Sequence, residues 1–443
     1  MKSLRYVIFS ALVAALGGFL FGFDTAVISG AEKSVQEVFN LDGFWHGFTV
    51  AIALIGTVFG ALFAGKPADI LGRKKCLIII GVLYAISAVG SALAGSWIPF
   101  LFYRFIGGLG VGASSVIGPM YISEISPAHM RGRLVALFQF NVVFGIMMSF
   151  FSNYLLSSIG ENAWRWMFGV EFFPALIFFV LVLGIPNSPR WLVRQNRIED
   201  ARKVLNAVGE FNVEEALKDI AHSVLAEGSG VVRLFTRKYR LPILFAFLLA
   251  TFNQLTGINA VMYYAPRIFQ MAGIEKNASF LQAVAIGLTN LIVTVIAMTL
   301  IDRFGRKPMM IVGSIGTGLS LAMVSYTFFT ESFEGYNILV YLMLFQGFFA
   351  LSQGTVIWVF LAEIFPNRVR GKGQALGSFV HWSWAAAISW IFPLVAENPS
   401  IGGRYSFLFF SVMMVFQFFF AWKIMPETKG KSLEQIERDL GIV

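Results

Sequence analysis

The hexapeptide DILGRK at residues 69–74 returns as DRFGRK at residues 302–307, 233 positions further along the chain. A second pair repeats at nearly the same distance, since EISPAHMRGR at 124–133 returns as EIFPNRVRGK at 363–372. Each copy follows the corresponding apolar segment of its half. Equal order and nearly equal spacing indicate that the chain contains two copies of one structural unit in the same orientation.

The composition is that of a protein embedded in a membrane. The chain of 443 residues is 57% hydrophobic and 13% charged, and its mean hydropathy is +0.72. A soluble domain carries about 25% charged residues. The net charge of +9 is spread in short basic clusters between apolar runs, which favours membrane loops over a nucleic-acid-binding face. The single Cys76 excludes an intramolecular disulfide.

Twelve segments are long and apolar enough to span a bilayer, for which about 20 residues are needed. They are predicted at 6–29, 46–65, 76–95, 98–121, 134–156, 165–185, 241–269, 279–301, 308–330, 337–361, 373–395 and 404–424. The first six are separated from the last six by a polar stretch. Within that stretch, apolar residues recur at helical spacing around Leu205 and Leu217, which predicts two short amphipathic helices.

Orientation follows from the distribution of Lys and Arg. Of the 34 basic residues, only five fall on the predicted outer side, and they are Lys33, Arg165, Arg267, Lys276 and Arg404. Because basic residues concentrate on the cytoplasmic side, both termini are predicted to be cytoplasmic. A parallel repeat of six spans is typical of a transporter with a site between the halves.

The predicted fold is an all-α membrane protein with twelve transmembrane helices in two pseudo-symmetric six-helix bundles and short cytoplasmic helices between them. The expected organisation is an N-terminal bundle at 1–185, a cytoplasmic helical linker at 186–240, a C-terminal bundle at 241–425 and a cytoplasmic tail at 426–443.

One acidic residue stands inside the first predicted span. Asp24 lies in GGFLFGFDTAVISG at residues 17–30, and an unpaired charge at the centre of a span costs about 2.5–3.5 kcal/mol. Arg104 lies in the fourth span and Glu171 in the sixth. Two acids cannot both be neutralised by one guanidinium in a medium of low dielectric constant, so a protonatable acid that competes for Arg104 is a plausible proton site.

Nine motifs in register resemble those of the sugar porter family of the major facilitator superfamily, and the resemblance covers essentially the whole chain. They are GFDTAVISGA, GKPADILGRKK, YRFIGGLGVG, PMYISEISPAHMRGRL, PNSPRWL, NQLTGINAVMYYAP, DRFGRKP, WVFLAEIFPNRVRGKG and PETKGKSLEQIE. In this resemblance Asp24 matches the acid of bacterial proton-coupled monosaccharide symporters, and Arg104 matches its partner. A static structural ion pair is the alternative.

The repeated motifs suggest a cytoplasmic gate. In the first copy Arg73 can reach a carboxylate on another helix, and Gly72 permits the tight turn before it. The resemblance implies that this network closes the cytoplasmic side and breaks when the halves rock. The expected gate residues are Asp69, Arg73, Glu124 and Arg131, with Asp302, Arg306, Glu363 and Arg370 in the second copy. Topology anchoring alone is the alternative.

One departure from the family pattern concerns this gate. The family usually has Glu where this chain has Asn187. An amide cannot accept a charge-assisted hydrogen bond as a carboxylate does, so a weaker gate is predicted at this end.

A sugar site needs amides for the hydroxyl groups and flat aromatic side chains for the ring. Polar and aromatic residues inside the predicted spans supply both, and Gly257 is expected to permit local unwinding of the seventh span. The candidates, most of them at the family's sugar-binding positions, are Phe21, Gln139, Asn253, Gln254, Asn259, Tyr263, Asn290, Gly354, Trp358, His381 and Trp382. Interhelical hydrogen bonds and core packing are the alternatives.

The sequence therefore predicts a secondary active transporter that imports a pentose or hexose by proton symport through alternating access. A proton-independent sugar facilitator and a non-transporting sugar sensor are the alternatives. No enzymatic activity, catalytic residue, cofactor or metal site is expected, because no nucleotide loop or metal cluster is visible. The expected partners are the sugar, the proton and membrane lipid, with no nucleic acid. A monomer in the bacterial inner membrane is expected.

Overall fold

The computed structural model describes residues 2–127, 130–210, 212–227, 233–333, 335–366, 368–396, 398, 402–431 and 433–442. Throughout these residues the regular structure is helical, and none of them forms a strand. Ala128 and His129 of the first repeated motif, and Asn367 of its second copy, lie outside the described residues.

The helices are given as two series, and the first series ends with the three short helices of the polar stretch. The first series is α1 (Lys2–Val38), α2 (Gly43–Phe63), α3 (Gly65–Leu71), α4 (Arg73–Leu93), α5 (Trp97–Ile125), α6 (Arg131–Leu156), α7 (Ala163–Gly169), α8 (Phe172–Gly184), α9 (Pro189–Arg194), α10 (Ile198–Val208) and α11 (Val213–Glu227). The second series is α12 (Arg240–Leu255), α13 (Ile258–Tyr263), α14 (Ala265–Met271), α15 (Lys276–Phe304), α16 (Arg306–Thr330), α17 (Asn337–Leu351), α18 (Gln353–Glu363), α19 (Arg370–Ala396), α20 (Gly402–Phe419) and α21 (Leu433–Asp439).

Twelve segments of the described residues are long and apolar enough to cross a membrane, as the sequence predicts. The largest difference in bounds concerns the first, which was expected at 6–29 and runs over Arg5–Val38. Lys33 therefore lies on the last turns of α1 rather than in a loop.

The two predicted amphipathic helices are confirmed as α10 and α11. Ala201 and Leu205 of α10 and Leu217 of α11 are buried together with Trp191 of the short helix α9. Helix α9 was not anticipated, because its six residues are too few to show a helical period.

The seventh span, predicted at 241–269, runs over Arg237–Tyr263 and is broken at Gly257. Gly257 has φ +77° and separates α12 from α13, which confirms the unwinding expected there. A side chain at this position would collide with the ring of Phe410, so glycine is required for both its backbone angles and its size.

The tenth span, predicted at 337–361, runs over Asn337–Glu363, and its helix is interrupted inside the span, which was not anticipated. Ser352 ends α17 with φ −116° and ψ −86°, and α18 starts at the next residue. The Ser352 hydroxyl donates to the carbonyl oxygen of Phe348 at 2.6 Å, a bond that competes with the helical pattern and bends helices.

The described residues pack into two compact units. The first comprises Met1–Thr25, Gly56–Ile146 and Phe168–Val231. The second comprises Ala26–Ile55, Met147–Met167 and Val232–Val443.

Each unit has its own apolar core. The core of the first contains Tyr84, Tyr121 and Phe178. That of the second contains Met310 and Phe360 and buries Ile436 of α21.

Large apolar side chains are exposed along the spans. Phe63, Leu93 and Leu319 are each more than 60% exposed. A soluble protein would rarely expose so many apolar side chains, whereas a lipid-facing surface requires them.

Candidate functional site

Asp24 and Arg104 form a fully buried ion pair in the first unit. Arg104 Nη1 donates to Asp24 Oδ1 at 2.7 Å, and Nη2 donates to the Asp24 carbonyl oxygen at 3.1 Å. The Asp24 and Arg104 side chains are 0% and 2% exposed. The guanidinium carbon lies 5.0 Å from the centre of the Phe168 ring, so an aromatic face closes the other side of the pair.

Glu171 is a second buried acid at this site. It lies at the break between α7 and α8, is 1% exposed, and is within electrostatic range of Asp24 and Arg104. Neither of its carboxylate oxygens has a hydrogen-bond partner among the described residues. Two buried carboxylates beside one guanidinium leave one negative charge in excess, which a bound proton would remove.

A relay of amides lies in the second unit at the Gly257 break. Asn259 Nδ2 donates to Gln254 Oε1 at 2.7 Å, although the break separates the two residues. Gln254 Nε2 then lies 3.0 Å from the His381 ring and donates to Asn253 Oδ1 at 3.3 Å. Because the oxygen of Gln254 is occupied by Asn259, its NH₂ group faces His381, and the facing ring nitrogen accepts.

Two tryptophans flank the same histidine. The His381 ring centre lies 5.0 Å from that of Trp358 and 4.9 Å from that of Trp382. Donors, acceptors and aromatic faces therefore converge around His381, and these are the groups that recognise sugar hydroxyls and the apolar face of a sugar ring.

The remaining sugar-site candidates are distributed over both units. Asn290 is buried and accepts a 3.4 Å hydrogen bond from Thr294. Tyr263 is buried at the end of α13, and Gly354 lies in the first turn of α18 beside Phe349. Phe21 and Gln139 are half-buried in the first unit.

The first motif cluster consists of Asp69, Arg73, Glu124 and Ser188. Arg73 Nε and Nη2 donate to Glu124 Oε1 at 3.1 and 2.8 Å, and Nη1 lies 3.4 Å from Asp69 Oδ1. The Ser188 hydroxyl donates to the other oxygen of Glu124.

The second motif cluster consists of Asp302, Arg306, Glu363, Glu427 and Thr428. Arg306 binds Glu363 through Nε and Nη2 at 3.1 and 2.7 Å and Asp302 through Nη1 at 3.3 Å. The Thr428 hydroxyl donates to Glu363 at 2.7 Å. The same donor and acceptor set therefore occurs twice, once in each unit.

The contacts expected of Arg131 and Arg370 are not seen in either cluster. Within the described residues Arg131 is exposed and forms no ion pair, and Arg370 Nε and Nη2 are buried without a hydrogen-bond partner. A role for Arg131 and Arg370 in the gate stays a prediction.

Sequence reasoning missed three members of these clusters, which are Ser188, Glu427 and Thr428. Ser188 and Thr428 occupy corresponding places in PNSPRWL and PETKGKSL, since they are as far apart in the chain as Pro186 and Pro426. The repeat distance therefore contained the signal that pairs them.

Metal-ligating side chains are dispersed. In the part of the chain that the structure describes, no three His, Cys, Asp or Glu side chains are grouped as a metal site would need.

Comparison with known proteins places this geometry in a family. A family model described as "Sugar (and other) transporter" matches residues 10–440. The chain is 37% identical to the D-xylose-proton symporter of Escherichia coli (strain K12), over 98% of this chain and 95% of that protein. It is 36% identical to the arabinose-proton symporter of Bacillus subtilis (strain 168), again over 98% and 95%.

The solved structures agree with the sequences. The fold superposes on the partially occluded inward-open conformation of the xylose transporter XylE from E. coli with a TM-score of 0.86 and 35% identity, covering 97% of this chain and all of that one. The chain thus belongs to the sugar transporter family of the major facilitator superfamily, as its nine motifs predict.

Proposed function

We propose that this protein imports a monosaccharide by proton symport through alternating access. The observation that carries this proposal is the buried Asp24–Arg104 pair with the second acid Glu171 beside it. The two relatives described above are named as proton symporters of xylose and arabinose, which supports a pentose as the first sugar to test. The function is transport, and no catalytic residue or cofactor enters it.

The proton is proposed to bind at the Asp24–Glu171 site. A proton on Asp24 removes the charge that holds Arg104 Nη1, and the guanidinium can then turn toward Glu171. Loss of the proton restores the pair. The protonation state thereby changes which bonds tie α1 to α5, and this difference biases the rocking of the two bundles.

The sugar is proposed to bind at the amide relay of Asn253, Gln254 and Asn259. These groups satisfy one another at present, so a sugar would exchange their mutual bonds for bonds to its hydroxyl groups. His381, Trp358 and Trp382 supply the aromatic wall. The other residues proposed to contact the sugar are Phe21, Gln139, Tyr263, Asn290 and Gly354.

The proposed organisation keeps the limits of the sequence repeat. We place the two bundles at 1–185 and 241–425, the cytoplasmic helical linker at 186–240 and the tail at 426–443. Both termini are proposed to be cytoplasmic, in a bacterial inner membrane, with the protein acting as a monomer in contact with lipid. The two motif clusters are proposed to form the cytoplasmic gate.

The test is uptake into liposomes under a pH gradient that is acid outside, with labelled pentoses and hexoses. A proton moving down 100 mV releases about 2.3 kcal/mol, enough for roughly 45-fold accumulation at one-to-one stoichiometry. We expect wild type to accumulate one sugar and Asp24→Asn only to equilibrate it. Glu37→Gln is the matched control, because it removes an exposed acid from the same helix.

The outcomes separate the alternatives. Equilibration without accumulation in wild type would identify a facilitator in which Asp24 is a structural partner of Arg104. Binding of a sugar without any transport would identify a sensor. Equal accumulation by wild type and Asp24→Asn would remove Asp24 from proton coupling.

A further inference from the structure

A buried polar cluster lies where α1 ends and α2 begins. Glu32 is 2% exposed and His46 is 0% exposed. One carboxylate oxygen, Glu32 Oε2, accepts from His46 Nε2 at 2.8 Å and from Arg267 Nη1 at 2.9 Å. Arg267 also donates to Gln36 Oε1 at 3.2 Å. We name Glu32, Gln36, His46 and Arg267 the outer cluster, since the proposed topology places them on the outer side.

The members of the outer cluster come from different repeats. Glu32 and Gln36 lie on α1 and His46 on α2, both in the first repeat, whereas Arg267 lies on α14 in the second. All four nevertheless belong to the second compact unit, because Ala26–Ile55 packs with the C-terminal helices. The ends of the first two spans are therefore fastened to the opposite repeat.

Two further contacts join the ends of the first two spans to helices of the second repeat, namely α19 and α14. Trp390 Nε1 donates to the carbonyl oxygen of Phe44 at 3.1 Å, and Lys33 donates to Gln270 at 3.2 Å. The backbone of α2 approaches Trp390 so closely at Gly47 that any side chain there would collide with it. These contacts show that the attachment to the second repeat includes both the end of α1 and the start of α2.

The charges in the outer cluster are costly to separate while they stay buried. Removal of one partner of a buried pair leaves the other charge without water or a counter-ion. Separation becomes favourable only when both groups gain water, which happens if α14 moves away from α1. The arrangement therefore resists partial opening and releases in one step.

The cluster also has an evident point of separation. The Glu32–His46 contact joins α1 to α2 within the first repeat, and Arg267 is the one charged side chain that the described residues of the second repeat contribute. Departure of Arg267 leaves the Glu32–His46 contact in place. Lys33, the residue after Glu32, is exposed and binds only the neutral Gln270 among the described residues.

We propose that the outer cluster is a lock that holds the outer side closed, and that Arg267 must leave Glu32 each time the sugar site opens outward. This inference rests on alternating access, which is part of the proposed function. XylE, whose fold this chain shares, was solved in partially occluded inward-open and inward-open conformations, and each gives a TM-score of 0.86. A closed outer side is what such a conformation requires.

The test measures a distance across the lock. Spin labels are attached at Val38, at the exposed end of α1, and at Asn277, in the exposed first turn of α15, in a Cys76→Ala background reconstituted in lipid nanodiscs. Pulsed electron resonance then gives the ratio of long to short distances without sugar. We expect Arg267→Gln to raise this ratio by about tenfold, within the range of about 5–150-fold typical of coupled conformational equilibria.

Two variants serve as controls. Lys33→Gln removes a positive charge from the residue next to Glu32 and one hydrogen bond to Gln270, but it leaves the buried ion pair intact, so it should shift the ratio much less than Arg267→Gln does. The double variant Glu32→Gln/Arg267→Gln should shift the ratio less than either single variant, because no buried charge is left unpaired. If Arg267→Gln does not fold, Arg267→Lys keeps the charge and loses the fork of donors, and it should give a smaller shift in the same direction.

Unchanged distances in Arg267→Gln, or equal shifts in Arg267→Gln and Lys33→Gln, would overturn the lock. The measurement needs neither sugar nor a proton gradient. A protein that shows the expected distances but transports no sugar would keep the lock and lose the proposed function. Intact transport with unchanged distances would support the proposed function and overturn the lock.

Discussion

The two motif clusters share an arginine–carboxylate core and differ in what supports it. In both, the arginine makes two bonds to a glutamate, one to an aspartate four residues earlier, and one to a backbone carbonyl. In both, a hydroxyl also donates to the glutamate, but Ser188 binds the Glu124 oxygen that Arg73 leaves free, whereas Thr428 binds the Glu363 oxygen that already accepts from Arg306 Nε. The two copies of the sequence motif therefore form nearly the same set of hydrogen bonds, one set in each unit.

The difference lies at the start of the helix that carries the arginine. At α16 the carboxylate of Glu427 accepts from the backbone N–H groups of Arg306 and Lys307 at 3.1 and 2.9 Å. The corresponding residue beside α4 is Asn187, whose side chain makes no hydrogen bond among the described residues. One helix start is thus capped by an anion, where the helix dipole favours it, and the other is not.

A different group covers the uncapped start. The Trp191 indole lies against Gly72 and donates to the Asp69 carbonyl oxygen at 3.2 Å, whereas the Glu427 carboxylate lies against Gly305. The two clusters have the same charge pairing, but they differ in the group that contacts the start of the arginine-bearing helix. The arginine thus organises both motif clusters, whereas an anionic cap supports only the second cluster.

The largest effect is expected from removing an arginine. Arg73→Gln leaves the Glu124 carboxylate, which is 9% exposed, without its counter-charge, and loss of one partner of a buried pair costs about 3–5 kcal/mol. Arg306→Gln should cost less, because the Glu363 carboxylate is 25% exposed. Unfolding free energies in mixed micelles measure both. A larger loss for Arg306→Gln would show that the exposure of the glutamate does not set the cost.

The second effect concerns the cap. Glu427→Gln weakens the acceptor of the first N–H groups of α16, and we expect about 1–3 kcal/mol of destabilisation. Hydrogen exchange should quicken at the Arg306 and Lys307 amides. Asn187→Ala is the matched control at the other end, and it should leave exchange at α4 unchanged. Equal effects of the two substitutions would contradict the asymmetry.

The third prediction is a pH dependence confined to one cluster. Burial raises the pKa of the Glu427 carboxyl, but its bonds from backbone N–H groups, that of Lys429 first, bring the pKa below its usual value. Such a carboxylate stabilises the fold above its unfolded pKa of about 4.3, and the contribution is lost as the pH falls through the lower folded pKa. Protection at the start of α16 should therefore decline in acid.

A comparison of wild type with Glu427→Gln isolates the contribution of the Glu427 carboxyl to this pH dependence. The difference in protection between wild type and the variant should be constant above about pH 5 and shrink below pH 4.3. The start of α4 should show no such difference, because Asn187 does not titrate. A difference that persists into strong acid would mean that the Glu427 charge does not matter.

The smallest effect is expected from restoring the missing cap. Asn187→Glu places a carboxylate near the start of α4, where an anion contributes about 0.3–1 kcal/mol. If the motif clusters form the cytoplasmic gate, the same change should lower cysteine labelling from the cytoplasmic side. Stabilisation without reduced labelling would separate helix capping from gating.

The membrane character, the twelve spans and the repeat could be predicted because each depends on residues close in sequence or on a fixed offset. The helix break at Gly257 was also predictable, since glycine is the residue that takes positive φ without strain. The break at Ser352 was not, because serine breaks a helix only in certain contexts. The extension of α1 to Val38 was missed for a similar reason, since the buried Glu32 on this extension is compensated by Arg267 and His46, which lie far from it or on another helix.

In the candidate sites, the residues could be predicted from sequence, but their contacts could not. The residue types at Asp24, Arg104, Gln254, Asn259 and His381 could be selected from sequence, because polar groups in an apolar span are costly and few. That Asn259 binds Gln254 across a broken helix, and that Glu171 stays without a partner among the described residues beside Asp24, depends on distances between helices. No spacing along the chain contains those distances.

Sequence by itself determined the class of this protein, its family and the residues that carry charge into the membrane. The tertiary structure decided which of those charges meet. Hydrophobic periodicity and motif order are properties of the chain, whereas a hydrogen-bonded ion pair exists only where packing brings two charged groups to about 3 Å from each other. The pairing of Glu32 with Arg267, 235 residues apart, is the clearest case, because neither residue indicates the other until α1 and α14 are packed together.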